Sequence, residues 1–272
     1  MKKLMTMAFA AALSLTVLSG CGAKEGDDLS GSVNLDGSTS MEKVVGILVE
    51  SFQEMHPGVT ISYNGSGSGA GITAAIDGTA DMGLSSRELK EEETGKGAVG
   101  HVVALDGVAV VVNPENTVED LTCAQIADIF SGKVTNWSEV GGADGPIAVL
   151  GREPGSGTRG AFEEIVGVED ECVYNAEYSS TGDVIGQVST NPNAIGYASL
   201  SAVSEKVKAV KVDGVECSEK TVKDGTFPIQ RPFLMVTKEG TELSAAAQAF
   251  LDYARSAEVA DLIAQAGAVS PN

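Results

Sequence analysis

Three turns in this sequence of 272 residues are built for the same chemistry. Gly37-Ser38-Thr39-Ser40, Gly65 to Gly71, and Gly155-Ser156-Gly157-Thr158 each follow an apolar, strand-like run and precede a helical pattern. The first turn of a helix leaves backbone N–H groups unpaired beside the positive end of its dipole. Glycine lets another group approach that backbone closely, and the hydroxyls add donors. Such a turn suits a tetrahedral oxyanion. One alone is as readily an ordinary helix cap. Three of them, with Arg152 just ahead of Ser156, point to an anion site, because a guanidinium offers a planar fork and a full charge to phosphate or carboxylate.

Competing chemistries find less support. Gly65-Ser66-Gly67-Ser68-Gly69-Ala70 fits a dinucleotide fingerprint, but the helix after it is short. There is no Walker A sequence, and neither Ser68 nor Ser156 sits in a G-x-S-x-G elbow. The two histidines, His56 and His101, lie near no candidate serine and at no metal-ligand spacing, so neither a Ser-His-Asp hydrolase nor a metal centre is expected. No cofactor is expected either. An exported phosphatase would need a metal cluster or an activated nucleophile, which makes it the weaker alternative to a binding protein.

The N-terminus reads as an export signal. Lys2 and Lys3 precede an uncharged stretch from Leu4 to Leu18, and Leu18-Ser19-Gly20 leads into Cys21. That ending resembles a bacterial lipobox, in which Cys21 receives lipid, palmitate included, and becomes the mature N-terminus. Residues 1–20 are thus expected to be a signal peptide and residues 21–30 a lipidated tether, holding the chain on the outer face of the cell membrane. No later segment has the ~18 apolar residues of a membrane span. With 18 basic against 38 acidic residues the net charge is −20, which disfavours nucleic acid or anionic lipid as a partner. Any anion must then be held by local dipoles and a few fixed charges. Cys123, Cys172 and Cys217 allow one disulfide, Cys172 with Cys217, or three free thiols; both remain open.

The elements that position the turns read as strands alternating with short helices, an α/β pattern. Strands are expected at 32–35, 60–63, 81–85, 102–113, 147–150, 195–198 and 207–212, and residues 228–237 carry the chain onward. Helices are expected at 41–55, 70–77, 122–130, 160–166, 181–190 and 243–266, the last broken near Ser256. Residues 88–100 show no clear periodicity.

The lipobox, the three turns, Ala80-Asp81-Met82-Gly83-Leu84-Ser85-Ser86, Ile129-Phe130-Ser131-Gly132-Lys133-Val134-Thr135-Asn136-Trp137 and Asn193-Ala194-Ile195-Gly196-Tyr197 follow in order. Together they resemble the phosphate-binding lipoproteins of high-affinity phosphate ABC transporters, along nearly the whole mature chain. The resemblance implies a two-lobed periplasmic-binding-protein fold of type II with two interlobe crossings. One lobe would hold residues 31–112 and 229–272, the other 113–228. The chain would be a monomer that passes inorganic phosphate to ABC permease subunits. Thr39 would donate its hydroxyl, Ser40 its backbone N–H, and Ser68 would donate from the second turn. Arg152 would supply charge, and Ser156, Gly157 and Thr158 would bind from the other lobe. Family members often carry an aspartate where this chain has Ser86, accepting the proton of HPO₄²⁻ and repelling sulfate. Asp106 is the candidate to take over that role, and Glu153 the candidate to orient Arg152. Sulfate or molybdate is the alternative ligand.

Overall fold

The structure is a computed structural model that describes residues 29–271. The signal peptide and Cys21 lie outside the described residues. In chain order the first half holds β1 (Ser30–Gly37), α1 (Glu42–Met55), β2 (Gly58–Asn64), α2 (Ser68–Asp77), β3 (Met82–Ser85), α3 (Glu91–Thr94) and β4 (Ala98–Val112). Next come β5 (Asp120–Leu121), α4 (Cys123–Phe130), β6 (Ala148–Arg152), α5 (Gly157–Val166), β7 (Ala176–Tyr178), α6 (Thr181–Thr190) and β8 (Ala194–Ser199). The remainder is β9 (Lys208–Ala209), β10 (Lys211–Val212), α7 (Glu219–Lys223), β11 (Gln230–Lys238), α8 (Ala245–Ala254) and α9 (Ala260–Gln265).

The strands join in the order β2-β1-β3-β11-β4-β8-β6-β7, with β9 on β4; β10 and β5 form a separate ribbon. β1 runs parallel to β2 and β3, and β6 parallel to β7 and β8, as right-handed βαβ units require. β4 binds the two halves together. Its residues 98–107 pair antiparallel with β11, and its residues 108–112 pair antiparallel with β8. Hence Val108 to Val112 is an unbroken apolar run, covered on both faces.

Packing divides at the same point. One core joins Val33, Leu48, Phe52, Val103 and Ala104 to Phe233, Phe250 and Ile263. Another joins Val108 to Val112 with Phe130, Trp137, Phe162, Val188, Tyr197 and Phe227. The chain therefore changes core between Ala104 and Val108 on the way out and between Ile229 and Phe233 on the return. Two expectations are corrected. Residues 207–212 are not one strand: Val210 donates its N–H to the Val110 carbonyl, and β9 and β10 part to different partners. Residues 91–94 form a helical turn fixed by Glu93, which takes both guanidinium Nη atoms of Arg87 at 2.8 and 2.7 Å.

In the second core Phe162 is fully buried, its ring stacked on Tyr197 at 4.3 Å and tilted against Phe130 at 4.6 Å. Phe162→Ala is expected to destabilise the protein by about 3–5 kcal/mol in urea unfolding. A loss under about 1 kcal/mol would show that this cluster does not hold the second core together.

Candidate functional site

Four helix N-termini converge where the two cores meet. β1 leads through Ser38 into a 3-10 turn, Thr39–Met41, that opens α1; α2 starts at Ser68 after Gly67. From the far side come α5, starting at Gly157, and α6, starting at Thr181. Ser40 Oγ lies 2.6 Å from Thr158 Oγ1 and 2.9 Å from Thr181 Oγ1, bridging the halves. Thr39 Oγ1 lies 3.4 Å from Thr181 Oγ1. Ser38 Oγ donates to Ser86 Oγ at 2.8 Å, and the backbone N–H of Ser86 donates to Ser68 Oγ at 3.1 Å. The N–H of Gly69 donates across the cleft to the Gly155 carbonyl at 3.0 Å.

This approach requires glycine at position 157. A Cβ there would stand 2.2 Å from Ser68 Oγ and 2.8 Å from Ser86 Oγ, far inside contact distance. Gly37 has φ +141°, and a Cβ would strike the Leu84 carbonyl oxygen at 2.2 Å, so the first turn is likewise closed to side chains.

Arg152, at the end of β6, is the buried cation of the cluster. Its Nε donates to the Tyr178 carbonyl at 3.1 Å, Nη2 to the Ser179 carbonyl at 2.7 Å and Nη1 to Thr181 Oγ1 at 3.0 Å. Among the described residues no carboxylate hydrogen-bonds to it. Burial pulls its pKa down to about 10, which leaves it charged at neutral pH. Glu153 is exposed and does not orient it; the two carbonyls and Thr181 do.

The structure thus brings Thr39, Ser40, Ser68, Ser86, Arg152, Gly157 and Thr158 together. Ser156 lies beside them, its Oγ capping α5 by accepting from the Arg159 N–H at 3.3 Å. Asp106 does not join the hydroxyl cluster. It is fully buried between β11 and β8, with Oδ2 bound by Arg231 and Oδ1 by Ser199. Burial pushes its carboxyl up from the ordinary value, against the pull of Arg231. Sequence reasoning missed Ser38 and Thr181. The signal for Thr181 was present: Ser179-Ser180-Thr181-Gly182 is another hydroxyl-rich turn between a strand and a helix. The three described cysteines are free thiols, so the Cys172–Cys217 pairing does not form. Among the described residues no group of three His, Cys, Asp or Glu could hold a metal ion.

Residues 22–258 match a family model described as a PBP superfamily domain. The phosphate-binding protein PstS of Bacillus subtilis is 34% identical over 240 residues, 87% of this chain and 79% of that protein. An X-ray structure from Clostridium perfringens, described as a phosphate ABC transporter substrate-binding protein with bound phosphate, superposes with a TM-score of 0.86 at 42% identity, covering 89% of this chain and all of the other. An ABC-type phosphate transport receptor from Vibrio cholerae gives a TM-score of 0.73 at 32% identity, over 88% of this chain and all of the other. The fold and the cleft define a two-lobed α/β solute receptor. The chain belongs to the PBP superfamily, and within it to the phosphate ABC transporter substrate-binding proteins.

Gly157→Ala is expected to wedge the cleft open, giving a larger radius of gyration in small-angle X-ray scattering than the wild-type chain. An unchanged radius would mean that the glycine does not limit closure.

Proposed function

We propose that this chain captures inorganic phosphate in the interlobe cleft and delivers it to an ABC permease from outside the cytoplasm, held at the membrane by lipid on Cys21. It is read as a monomeric receptor and not an enzyme. The observation that carries this reading is the buried Arg152 at the meeting of four helix N-termini, with hydroxyls of Thr39, Ser40, Ser68, Ser86, Thr158 and Thr181 turned toward one another. Such a set offers only donors and neutral acceptors, the environment a desolvated tetrahedral oxyanion needs. Relatives named as phosphate-binding proteins support the ligand. The lobes close over the anion by bending at the two crossings, residues 104–108 and 229–233.

One observation favours a second reading, a receptor for sulfate. Ser86 puts a hydroxyl where family members often place a carboxylate, and among the described residues no carboxylate hydrogen-bonds to the clustered hydroxyls of Ser38, Ser40, Ser68, Ser86, Thr158 and Thr181 to repel a fully ionised anion. Against it, Ser86 Oγ accepts from Ser38 and retains a second lone pair, which can accept a hydrogen bond from the P–OH of HPO₄²⁻.

Calorimetry on the soluble chain, stripped of carried-over anion, decides between them. Phosphate is expected to bind one-to-one with an affinity unchanged by a large excess of sulfate. Competition by sulfate would replace phosphate with the second reading, and no heat from either anion would reject both. Arg152→Met is expected to weaken phosphate binding by about 30- to 1000-fold, the 2–4 kcal/mol range of a buried charge-assisted contact. Wild-type affinity in that variant would remove Arg152 from the site.

A further inference from the structure

Arg231 is a buried cation that the hydroxyl cluster leaves unused. It stands on β11, which runs antiparallel to β3 with Leu234 opposite Ser85. Three residues earlier in β11, Arg231 therefore lies past the end of β3, beyond its last paired residue Ser85. On its other side it pairs with Asp106 in β4. Its Nε and Nη2 both donate to Asp106 Oδ2, at 3.0 and 2.9 Å, so one edge of the guanidinium is fully engaged. Asp106 Oδ1 accepts from Ser199 Oγ at 2.8 Å, and Ser199 Oγ is 2.6 Å from Ser201 Oγ. Ser201 in turn donates to the Ser40 carbonyl at 3.4 Å, which ties this group to the anion cluster.

The other edge of Arg231 differs. Nη1 is buried and has no hydrogen-bond partner. A buried guanidinium N–H is rarely left unmatched, because its desolvation is then uncompensated. The charge of Arg231 also depresses the pKa of Arg152, so the two guanidiniums act on one low-dielectric space. Asp106 neutralises only one of them.

We propose that Arg231 is a second cationic ligand of the bound anion, held by Asp106 so that Nη1 points at the oxyanion gripped by Arg152 and the helix N-termini. This rests on the anion-receptor reading. Asp106 then serves as a positioning residue acting through Arg231, and does not itself take a proton from the ligand. Two guanidiniums against one buried carboxylate favour a doubly charged tetrahedral anion over a singly charged one of the same shape.

Calorimetric titration of phosphate into the wild type, Arg231→Lys, Asp106→Asn and the double variant tests this, with thermal unfolding as the check on folding. Lysine keeps the charge beside Asp106 but removes the Nη1 donor, and is expected to weaken binding by about 10- to 100-fold. Asp106→Asn is expected to weaken binding too, and the double variant to bind no worse than Arg231→Lys alone, since both changes act through one contact. Wild-type affinity in folded Arg231→Lys, or additive losses, would overturn the proposal. Should Arg231→Lys fail to fold, a crystal structure of the wild type with phosphate answers the same question. Nη1 within about 3.2 Å of an anion oxygen supports the assignment; Nη1 bonded only to protein or water sinks it. A wild type that binds no phosphate would instead reject the receptor reading, and the inference with it.

Discussion

A buried arginine that, among the described residues, no carboxylate hydrogen-bonds is the constraint around which this protein is arranged. Arg152 is cut off from solvent, and desolvating a guanidinium is costly unless its donors are matched. Two backbone carbonyls and Thr181 match the donors without cancelling the charge. The dipoles of the surrounding helices make the same place more positive still. Local field and global charge are thus opposed: a chain of net charge −20 keeps a buried guanidinium and several helix N-termini together at one place. The acidic exterior lends no attraction to an anion, which leaves recognition to short-range contacts.

The division into two cores serves that cleft. Neither half contains the site. Ser38 to Ser40 and Ser86 belong to turns packed on one core, Ser68 to α2, which packs through Ile72 and Ala75 on a small cluster with Leu234 and Val236, and Arg152, Thr158 and Thr181 to elements packed on the other core. Only their approach forms the hydroxyl cluster, and Gly157 sets how near they come. Two adjacent antiparallel strands, β4 and β11, carry the chain between the cores, and beside them Val269 bridges to Leu105 where the C-terminal segment meets the second core. Across those strands lies the buried Asp106–Arg231 pair.

Much of this was legible in the residues. Alternation of β-branched runs with helical patterns gave the α/β class, and hydroxyl-rich turns at strand ends marked three of the four converging helices. Thr181 escaped because β7, the strand ahead of it, is only three residues long, so its turn lacked the preceding apolar run that flagged the others. Asp106 was singled out as chemically important, but its partner was not. Arg231 lies 125 residues away in sequence, and no local pattern predicts which face of a hinge strand will meet which. The expected strand at 207–212 failed for a related reason. Its apolar pattern is real, but Val210 bonds back to β4 and divides the segment between two partners.

Arsenate offers the most direct trial of the central claim, since it shares the shape and protonation chemistry of phosphate and scatters anomalously. Crystals grown with arsenate should show a single strong anomalous peak between the lobes, with its oxygens within about 3.2 Å of Arg152 and Thr158. A peak confined to the outer surface, or none in a well-ordered closed molecule, would contradict the account.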